Sequence, residues 1–168
     1  MARAPEDAAP AGDFARWARP SLLAMTRLAR RLAPPGEVDD VVQDALARGW
    51  QKRHTYDPSR GTPTVWLLAI TADRARTARV AHVRRLQVVC DSDVPDVAVE
   101  GAFTDVDLDR AISGLPERQQ LAVQLHYFVG LPVAECARVM ECSPGTVKST
   151  LFDARARLRI LLGDDGHE

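Results

Sequence analysis

The chain has 168 residues, of which 46% are hydrophobic and only 5% aromatic, a composition that suits small helical bundles packed on Leu, Val and Ala. That length allows one compact domain or two small ones joined by a linker. The sequence contains no apolar run long enough to cross a bilayer and no signal-peptide core, and its three cysteines lack disulfide-like spacing. We therefore expect a cytosolic, reduced protein and neither a membrane-spanning nor a secreted one.

The formal net charge of −1 hides a strong segregation of charge along the chain. Residues 14–85 carry 14 Arg and Lys against 6 Asp and Glu, a formal charge of +8. Residues 91–109 carry 7 acidic residues and no basic one, and residues 110–162 carry 7 basic against 4 acidic residues. Two basic blocks around an acidic strip predict two surfaces for a polyanion, although charge alone fits an ordinary solvated surface equally well.

Helical patterns fill the first half of the chain. After a leader at residues 1–13, which we expect to be disordered, a helical pattern covers residues 14–32. Pro20 is predicted to kink or divide this stretch, and the Pro-Pro-Gly run at residues 34–36 stops it. A loop rich in turn-forming residues is predicted at residues 54–63, where it separates the next two helices.

The helix predicted over residues 38–53 is amphipathic, and acidic residues in its first turn suit the helix dipole. Its apolar stripe repeats at i, i+4, i+7 and i+11, at Val38, Val42, Ala45 and Gly49, and is widened by Val41 and Leu46. The following helix begins near Thr64, opens apolar and closes basic. One end of it is therefore predicted to lie in a core and the other at a surface that attracts negative charge. The basic residues are Arg74, Arg76, Arg79, Arg84 and Arg85.

The second half opens with an acidic, aperiodic segment at residues 88–107, which is predicted to be a flexible linker. Helices are then predicted at residues 107–113, 116–129, 132–140 and 144–162, with prolines and glycines at their ends. The apolar stripe of the second of these helices consists of Leu121, Leu125 and Phe128. No strand signal occurs, so the predicted fold class is all-α, with two small helical domains joined by the flexible acidic linker.

Residues 132–159 form a helix-turn-helix pattern, in which a short helix, a tight turn and a longer helix follow one another. Ser143 is predicted to cap the final helix, with Pro144 in its first turn. The inward stripe consists of Val147, Leu151, Ala154 and Leu158, and the outward face of Thr146, Lys148, Ser149, Phe152 and Asp153. Small donors and a lysine at a helix start suit the major groove of DNA, but a plain helical hairpin fits the same pattern.

Specific runs in both halves resemble extracytoplasmic-function (ECF) sigma factors of RNA polymerase. The runs SPGTVKS at 143–149, ARARLR at 154–159, LPERQ at 115–119 and GLPVAE at 130–135 resemble region 4 of that family. The runs DVVQDALARGW at 40–50, YDPSRG at 56–61 and WLLAI at 66–70 resemble region 2. The similarity extends over residues 22–162, with the two signatures in the family's order.

The resemblance implies a sigma region 2 domain at residues 14–87, the linker at 88–107, a region 4 helix-turn-helix domain at 108–162 and a tail at 163–168. It implies a factor that binds core RNA polymerase and directs promoter recognition and opening, in a stress or signal response. Implied partners are core RNA polymerase, promoter DNA and an anti-sigma factor. The implied location is the cytoplasm, at the nucleoid or near the membrane where an anti-sigma partner holds the protein. Neither enzymatic activity, nor a cofactor, nor a metal site is expected.

Each implied surface maps onto particular positions of this sequence. The polymerase-binding positions are Asp40, Gln43 and Asp44. The positions for the minus-ten promoter element are Tyr56, Arg60, Asp73, Arg74, Arg76 and Arg79. The positions for the minus-thirty-five element are Ser143, Gly145, Thr146, Lys148, Ser149, Phe152 and Arg155.

This sequence departs from the family pattern at several of these surfaces. The family commonly has Asn near Asp73 and Asp near Thr77, so the minus-ten sequence that this chain reads is left open. It often has Arg at the position of Thr150 and a basic residue at Asp153. The lost positive charge implies weak phosphate contacts by the final helix, or an unusual element.

Two rival functions share part of this pattern. A stand-alone helix-turn-helix repressor needs the final helix but no acidic face for polymerase, and a protein-interaction bundle has no salt-dependent affinity for DNA. Cys136, Cys142 and His126 have no standard zinc spacing, and Cys136 is expected to be a buried helical cysteine. Trp50 and Trp66 are expected in the core, whereas Phe152 is predicted to point outward, with burial under neighbouring helices as the alternative.

Overall fold

Eight α-helices dominate residues 12–89 and 105–163, the parts of the chain that the computed structural model describes. These two stretches contain no strand, as predicted. The predicted leader falls outside the described residues except for residues 12 and 13, as do residues 90–104 of the predicted linker and residues 164–168 of the tail. No helix in the described stretches is long and apolar enough to cross a membrane.

The first domain is built from four α-helices and two short 3₁₀ turns. The α-helices are α1 (Phe14–Ala18), α2 (Leu22–Leu32), α3 (Val38–Lys52) and α4 (Pro63–Val89). The 3₁₀ turns are Arg19–Ser21 and Arg53–Thr55. Pro20 lies in the first of them, so the predicted division of the first helical stretch is confirmed. α4 continues two residues past the predicted end of the domain.

The core of the first domain forms where α2 packs against α3 and α4. Leu28 of α2 and Leu67 and Leu68 of α4 are fully buried. Gly49 lets α3 approach closely, because a Cβ there would lie 3.0 Å from Leu67 Cδ2 and 3.2 Å from Phe14 Cζ. The apolar stripe predicted for α3 faces the core. Val41, Ala45 and Gly49 are buried, and Val38, Val42 and Leu46 are half-buried.

Two tryptophans differ in their surroundings. Trp50 was expected in the core, but 44% of its surface is exposed, because it follows Gly49 at the outer end of α3. The Arg53 guanidinium covers one face of its ring, 3.9 Å from the centroid. Trp66 is half-buried and meets Trp17 and Tyr56 edge to face, with centroid distances of 5.9 and 5.6 Å.

The second domain consists of α5 (Asp105–Ser113), α6 (Glu117–Val123), α7 (Val133–Val139) and α8 (Pro144–Leu161). The helix predicted over residues 116–129 is not uniform, because α6 passes into a π-helical turn at Gln124–Val129. Because a π turn has more residues per turn than an α-helix, the residues after Gln124 face a different direction from the one that an α-helix predicts. Leu125 is buried as predicted and Leu121 half-buried, but Phe128 is 36% exposed. Gly130, at φ 86°, ends the π turn in the left-handed conformation.

The two domains are in contact. α2 lies against the π turn, and α4 lies against α7. Their buried apolar residues form one continuous cluster. The sequence predicted two domains joined by a flexible linker, and the described residues place the two domains side by side.

We predict that two leucines of α2 differ sharply in their contribution to stability. Leu28 is fully buried, whereas Leu23 is 63% exposed. Leu28→Ala should therefore lower the free energy of unfolding by about 3 kcal/mol, because it leaves a cavity in the core. Leu23→Ala should change it by less than about 0.5 kcal/mol. Urea unfolding followed by circular dichroism measures both, and equal losses would contradict this account of the core.

Candidate nucleic-acid interface

The start of α8 is exposed to solvent and is capped by the Ser143 side chain. Ser143 Oγ accepts a hydrogen bond from the backbone N–H of Thr146 at 3.1 Å and lies 2.9 Å from Thr146 Oγ1. Pro144 occupies the first turn. The predicted N-cap is confirmed. Pro144 has no N–H and the Val147 N–H donates to Ser143 O, so the N–H of Gly145 is left without a partner within the helix.

The two faces of α8 differ as the sequence pattern predicted. Val147, Leu151 and Ala154 are buried against α6 and α7, and Leu158 is half-buried. The seven residues predicted to contact the minus-thirty-five element are all exposed. They are Ser143, Gly145, Thr146, Lys148, Ser149, Phe152 and Arg155. The Phe152 ring is 65% exposed, so its predicted outward orientation is confirmed.

Hydroxyl groups near the start of α8 are committed to the backbone. Thr146 O accepts a hydrogen bond from Ser149 Oγ at 3.0 Å and another from Thr150 Oγ1 at 2.7 Å. The lone pairs of Ser149 Oγ therefore remain available on an exposed surface, while its proton is used within the helix. In this arrangement Ser149 is an acceptor for an outside donor.

The predicted polymerase-binding residues share the exposed face of α3. Asp40, Gln43 and Asp44 lie at i, i+3 and i+4 of that helix, and all three are exposed. Asp44 Oδ2 lies 3.6 Å from Nη1 of Arg74 on α4. This contact joins the acidic face of α3 to the basic face of α4.

Asp73 is the centre of an ionic group on α4. It accepts from Arg74 Nη2 at 2.5 Å and from Arg76 Nη2 at 3.1 Å. The Arg74 guanidinium, with a smaller contribution from Arg76, holds the pKa of the Asp73 carboxyl below its usual value. Asp73 in turn raises the pKa of Arg74. Arg74 Nε is buried and has no hydrogen-bond partner among the described residues.

Tyr56 does not lie where a base-stacking residue is expected. Only 6% of its surface is exposed, because its ring packs against Trp17 at a centroid distance of 5.1 Å and against Trp66. Its hydroxyl donates to Gly61 O at 3.1 Å. In this conformation the ring is not exposed for stacking, and Tyr56 supports the loop from inside. Its assignment to the minus-ten element stays a prediction.

The exposed part of that loop is a tight turn. Asp57 accepts hydrogen bonds from the backbone N–H and the hydroxyl of Ser59 at 2.9 and 2.7 Å, which hold the pKa of Asp57 below its usual value. Arg60 follows the turn and is exposed. Of the predicted minus-ten residues, Arg60 and Arg76 thus present their side chains most openly to solvent.

Arg79, which is predicted to contact DNA, is bound to the second domain in this structure. Its Nη1 donates to Gln120 Oε1 at 2.8 Å, and its Nη2 lies 4.0 Å from Glu117. The sequence pattern also missed Arg31 of α2, which contacts the second domain at Gln124 and Asp109. No local signal reveals these partners, because they lie between 38 and 93 residues further along the chain.

Cys136 is a buried core thiol. Burial raises its pKa to about 11, and its Sγ lies 3.6 Å from Leu131 O. His126 Nδ1 lies 2.8 Å from the same carbonyl, which fixes the imidazole locally. Among the residues that the structure describes, no three His, Cys, Asp or Glu side chains lie together as a metal site.

Comparisons with known proteins show the family to which the chain belongs. The family described as Sigma-70 region 2 matches residues 15–87, and the family described as Sigma-70, region 4 matches residues 105–158. The ECF RNA polymerase sigma-E factor of Escherichia coli K12 is 32% identical over 149 residues, covering 76% of this chain and 75% of that protein. The ECF RNA polymerase sigma factor RpoE of Cereibacter sphaeroides is 32% identical over 132 residues, covering 73% of this chain and 71% of that protein.

Solved structures show the same architecture. The sigma factor RpoE of Bartonella quintana, in complex with the anti-sigma factor NepR, superposes with a TM-score of 0.69 and 26% identity, covering 91% of this chain and 98% of that one. CnrH, in complex with the cytosolic domain of CnrY, superposes with a TM-score of 0.67 and 25% identity, covering 91% of this chain and 89% of that one. The chain therefore belongs to the ECF RNA polymerase sigma factors. It is a sigma factor, and the stand-alone repressor is not favoured.

We predict that the neighbouring residues Leu151 and Phe152 respond oppositely to truncation. Leu151 is 5% exposed and Phe152 is 65% exposed. Leu151→Ala should lower the free energy of unfolding by about 3 kcal/mol, and Phe152→Ala by less than about 0.5 kcal/mol. Thermal and urea unfolding measure the pair on one helix. A loss for Phe152→Ala as large as that for Leu151→Ala would show that the ring is buried in solution.

Proposed function

We propose that the chain binds core RNA polymerase and the minus-ten promoter element through its first domain and the minus-thirty-five element through α8. It acts by binding, without a catalytic step of its own, and works in the cytoplasm, where polymerase and promoter DNA are found. The observation that carries this proposal is the start of α8, where a capped, exposed helix end stands on a buried apolar stripe. A rigid helix end of that shape fits the major groove.

The side chains of α8 divide into two kinds of contact. The N–H group of Gly145, which has no partner within the helix, and the ammonium group of Lys148 suit phosphate oxygens, which position a protein on DNA without reading sequence. The hydroxyls of Thr146 and Ser149 suit base edges, and the Phe152 ring suits a thymine methyl group. Arg155 lies one turn further along and adds positive charge for the backbone.

For polymerase, the exposed acidic face of α3 is the best-supported docking surface in the first domain. Asp40, Gln43 and Asp44 present two carboxylates and an amide at helical spacing within an otherwise basic domain. Such a face complements a basic helical surface on a partner. The ion pair between Asp44 and Arg74, at 3.6 Å, places the docking face next to the arginines of α4.

For the minus-ten element, the open arginines and the paired ones have different roles. Arg60 and Arg76 are exposed and suit the phosphates of an opened strand. Arg74 is held by Asp73 and Asp44, and it positions its neighbours rather than binding DNA directly. Tyr56 supports the loop that carries Arg60. This division refines the set that the sequence resemblance implied.

An anti-sigma protein is a further proposed partner. Both solved sigma factors described above were determined as complexes with anti-sigma factors, NepR in one case and CnrY in the other. The exposed apolar residues of the last turns of α4 offer a surface for such a partner. They are Val80, Val83 and Leu86, each between 47% and 49% exposed.

We predict that polymerase binding depends on one side of α3. Asp40→Lys combined with Asp44→Lys should weaken binding of the fluorescently labelled chain to core RNA polymerase by about tenfold or more, because both carboxylates meet a basic partner. Asp39→Lys is the matched control, since Asp39 shares the first turn of α3 with Asp40 but points elsewhere. Fluorescence anisotropy measures affinity, and circular dichroism checks the fold. Equal effects of the control and of the double variant would refute a specific docking face.

We predict that Lys148 positions α8 on DNA and that Thr146 reads sequence. Lys148→Ala should weaken binding to duplexes selected from a random pool about equally for all sequences, and should reduce the salt slope by about one unit. Thr146→Ala should change the selected sequence while leaving the slope nearly unchanged. The measurement is selection followed by titration at several salt concentrations. A new sequence preference in the Lys148 variant would reverse the two roles.

A further inference from the structure

The exposed surface of α8 divides into two stripes of different chemistry. At about 100° per residue, the members of one stripe fall within about 60° of one another, and those of the other within about 40°. The two stripes are about 130° apart around the helix. The acceptor stripe consists of Thr146, Ser149 and Asp153, all exposed. The basic stripe consists of Lys148, Arg155 and Arg159, also exposed.

The hydroxyl groups along the acceptor stripe have little left to donate. Ser149 Oγ donates its proton to Thr146 O at 3.0 Å, and Thr150 Oγ1 donates to the same oxygen at 2.7 Å. A hydroxyl has one proton, so both groups keep only lone pairs for a ligand. Ser143 Oγ and Thr146 Oγ1, 2.9 Å apart, share one proton between them. This part of α8 therefore offers more acceptors than donors.

Asp153 adds a carboxylate to the same stripe, one helical turn beyond Ser149. Its side chain is exposed. Within the described parts of the chain no basic nitrogen pairs with it, although Arg157 follows at i+4 on the same helix. A carboxylate accepts hydrogen bonds and donates none. Its oxygens are therefore available to a ligand that supplies N–H donors.

The edges of the bases in the major groove differ in the donors that they present. Cytosine presents the N4 amino group and adenine the N6 amino group, whereas guanine and thymine present acceptors that repel a carboxylate. Adenine also has the acceptor N7 beside its amino group, and cytosine has a donor alone. A carboxylate on a helix that lies in the groove is therefore best matched by cytosine.

We infer that Asp153 is a specificity-determining residue that selects cytosine at one position of the DNA element bound by α8. This inference rests on the proposed function of α8. The acceptor stripe faces the base edges, where Asp153 accepts from the N4 amino group and Ser149 offers lone pairs to a neighbouring base. The basic stripe holds phosphates. Repulsion between the Asp153 carboxylate and nearby phosphates weakens binding to every sequence that lacks the matching cytosine.

Two substitutions of Asp153 predict two other bases at the same position. An asparagine pairs with N6 and N7 of adenine, and an arginine pairs with O6 and N7 of guanine. Asp153→Asn should therefore change the selected base from cytosine to adenine, and Asp153→Arg should change it to guanine. Glu141→Gln is the matched control for Asp153→Asn. It removes the same charge from an exposed residue in the turn before α8, outside the acceptor stripe.

Selection from a random pool of duplexes identifies the base. The full chain is assembled with core RNA polymerase, and the bound duplexes are sequenced for the wild type and for each variant. We expect one position of the enriched element to read cytosine, adenine and guanine for the wild type, Asp153→Asn and Asp153→Arg in turn. The remaining positions should stay the same, and Glu141→Gln should return the wild-type element.

Titration of labelled duplexes that differ at this one base pair tests the pairing directly. The wild type should bind the cytosine duplex about tenfold more tightly than the guanine duplex. Asp153→Asn should bind the cytosine duplex more weakly than the wild type does, yet bind unrelated duplexes more tightly, because the repulsion of phosphates is removed. A loss of folding weakens binding to both kinds of duplex, so opposite changes exclude it. Circular dichroism checks the fold.

Three results overturn the inference. If Asp153→Asn selects the wild-type element, Asp153 reads no base, whether or not it pairs with Arg157 in solution. If Asp153→Asn binds all duplexes more tightly by one factor, the carboxylate only repels phosphates. If the position that responds to Asp153→Asn reads guanine or thymine in the wild type, the assignment to an amino group is wrong.

Failure of the proposed function gives a different pattern. If α8 does not bind DNA, Lys148→Ala and Thr146→Ala bind duplexes as the wild type does, and no α8 variant changes the enriched sequence. If only the inference fails, those two variants still alter binding while Asp153→Asn leaves the selected element as it is.

Discussion

The packing of α4 against α2 and α3 is the interaction on which the rest of the structure depends. The first half of α4 supplies Leu67 and Leu68 to the core, where both are fully buried. The second half leaves that core and carries the arginines. Because one rigid helix does both, the core sets the direction in which the arginines point. The same packing fixes α3, so the acidic face and the basic face stand in a constant relation to each other.

The arginines of α4 show how a domain that binds polyanions remains stable when no polyanion is bound. A face of uncompensated guanidinium groups repels itself in the absence of DNA. Here Arg74 and Arg76 share the Asp73 carboxylate, and Arg79 is bound to the second domain. Pairs at half-exposed positions contribute little to stability, so DNA phosphates can replace the carboxylates at small cost. The half-buried Arg74 organises the surface through its two ion pairs, and the more exposed groups remain exchangeable.

What the sequence could predict depended on the distance over which the determining contacts act. Division at Pro20, the amphipathic α3 and the cap at Ser143 follow from neighbours within one or two turns, and each prediction was correct. Tyr56 and Phe128 were misplaced for other reasons. Tyr56 is buried by Trp17, nearly forty residues earlier in the chain, and Phe128 turns outward because hydrogen bonding changes register at Gln124. Neither effect changes the local spacing of apolar residues, so the sequence pattern does not reveal it.

The identity of the basic residues explains why contacts between the domains and the proposed DNA contacts use the same chemical group. Of the 22 basic residues, 20 are arginines and 2 are lysines. A guanidinium offers a planar fork that fits a carboxylate, an amide oxygen or a phosphate, and its face stacks on an aromatic ring. Arg31 uses three of these modes at once toward Asp109, Gln124 and Phe128. A lysine offers a point charge without a stacking face, so it cannot make these three contacts together. Carboxylates of the second domain thus bind arginines in the way that phosphates do, and an arginine-rich surface that binds carboxylates also suits phosphates.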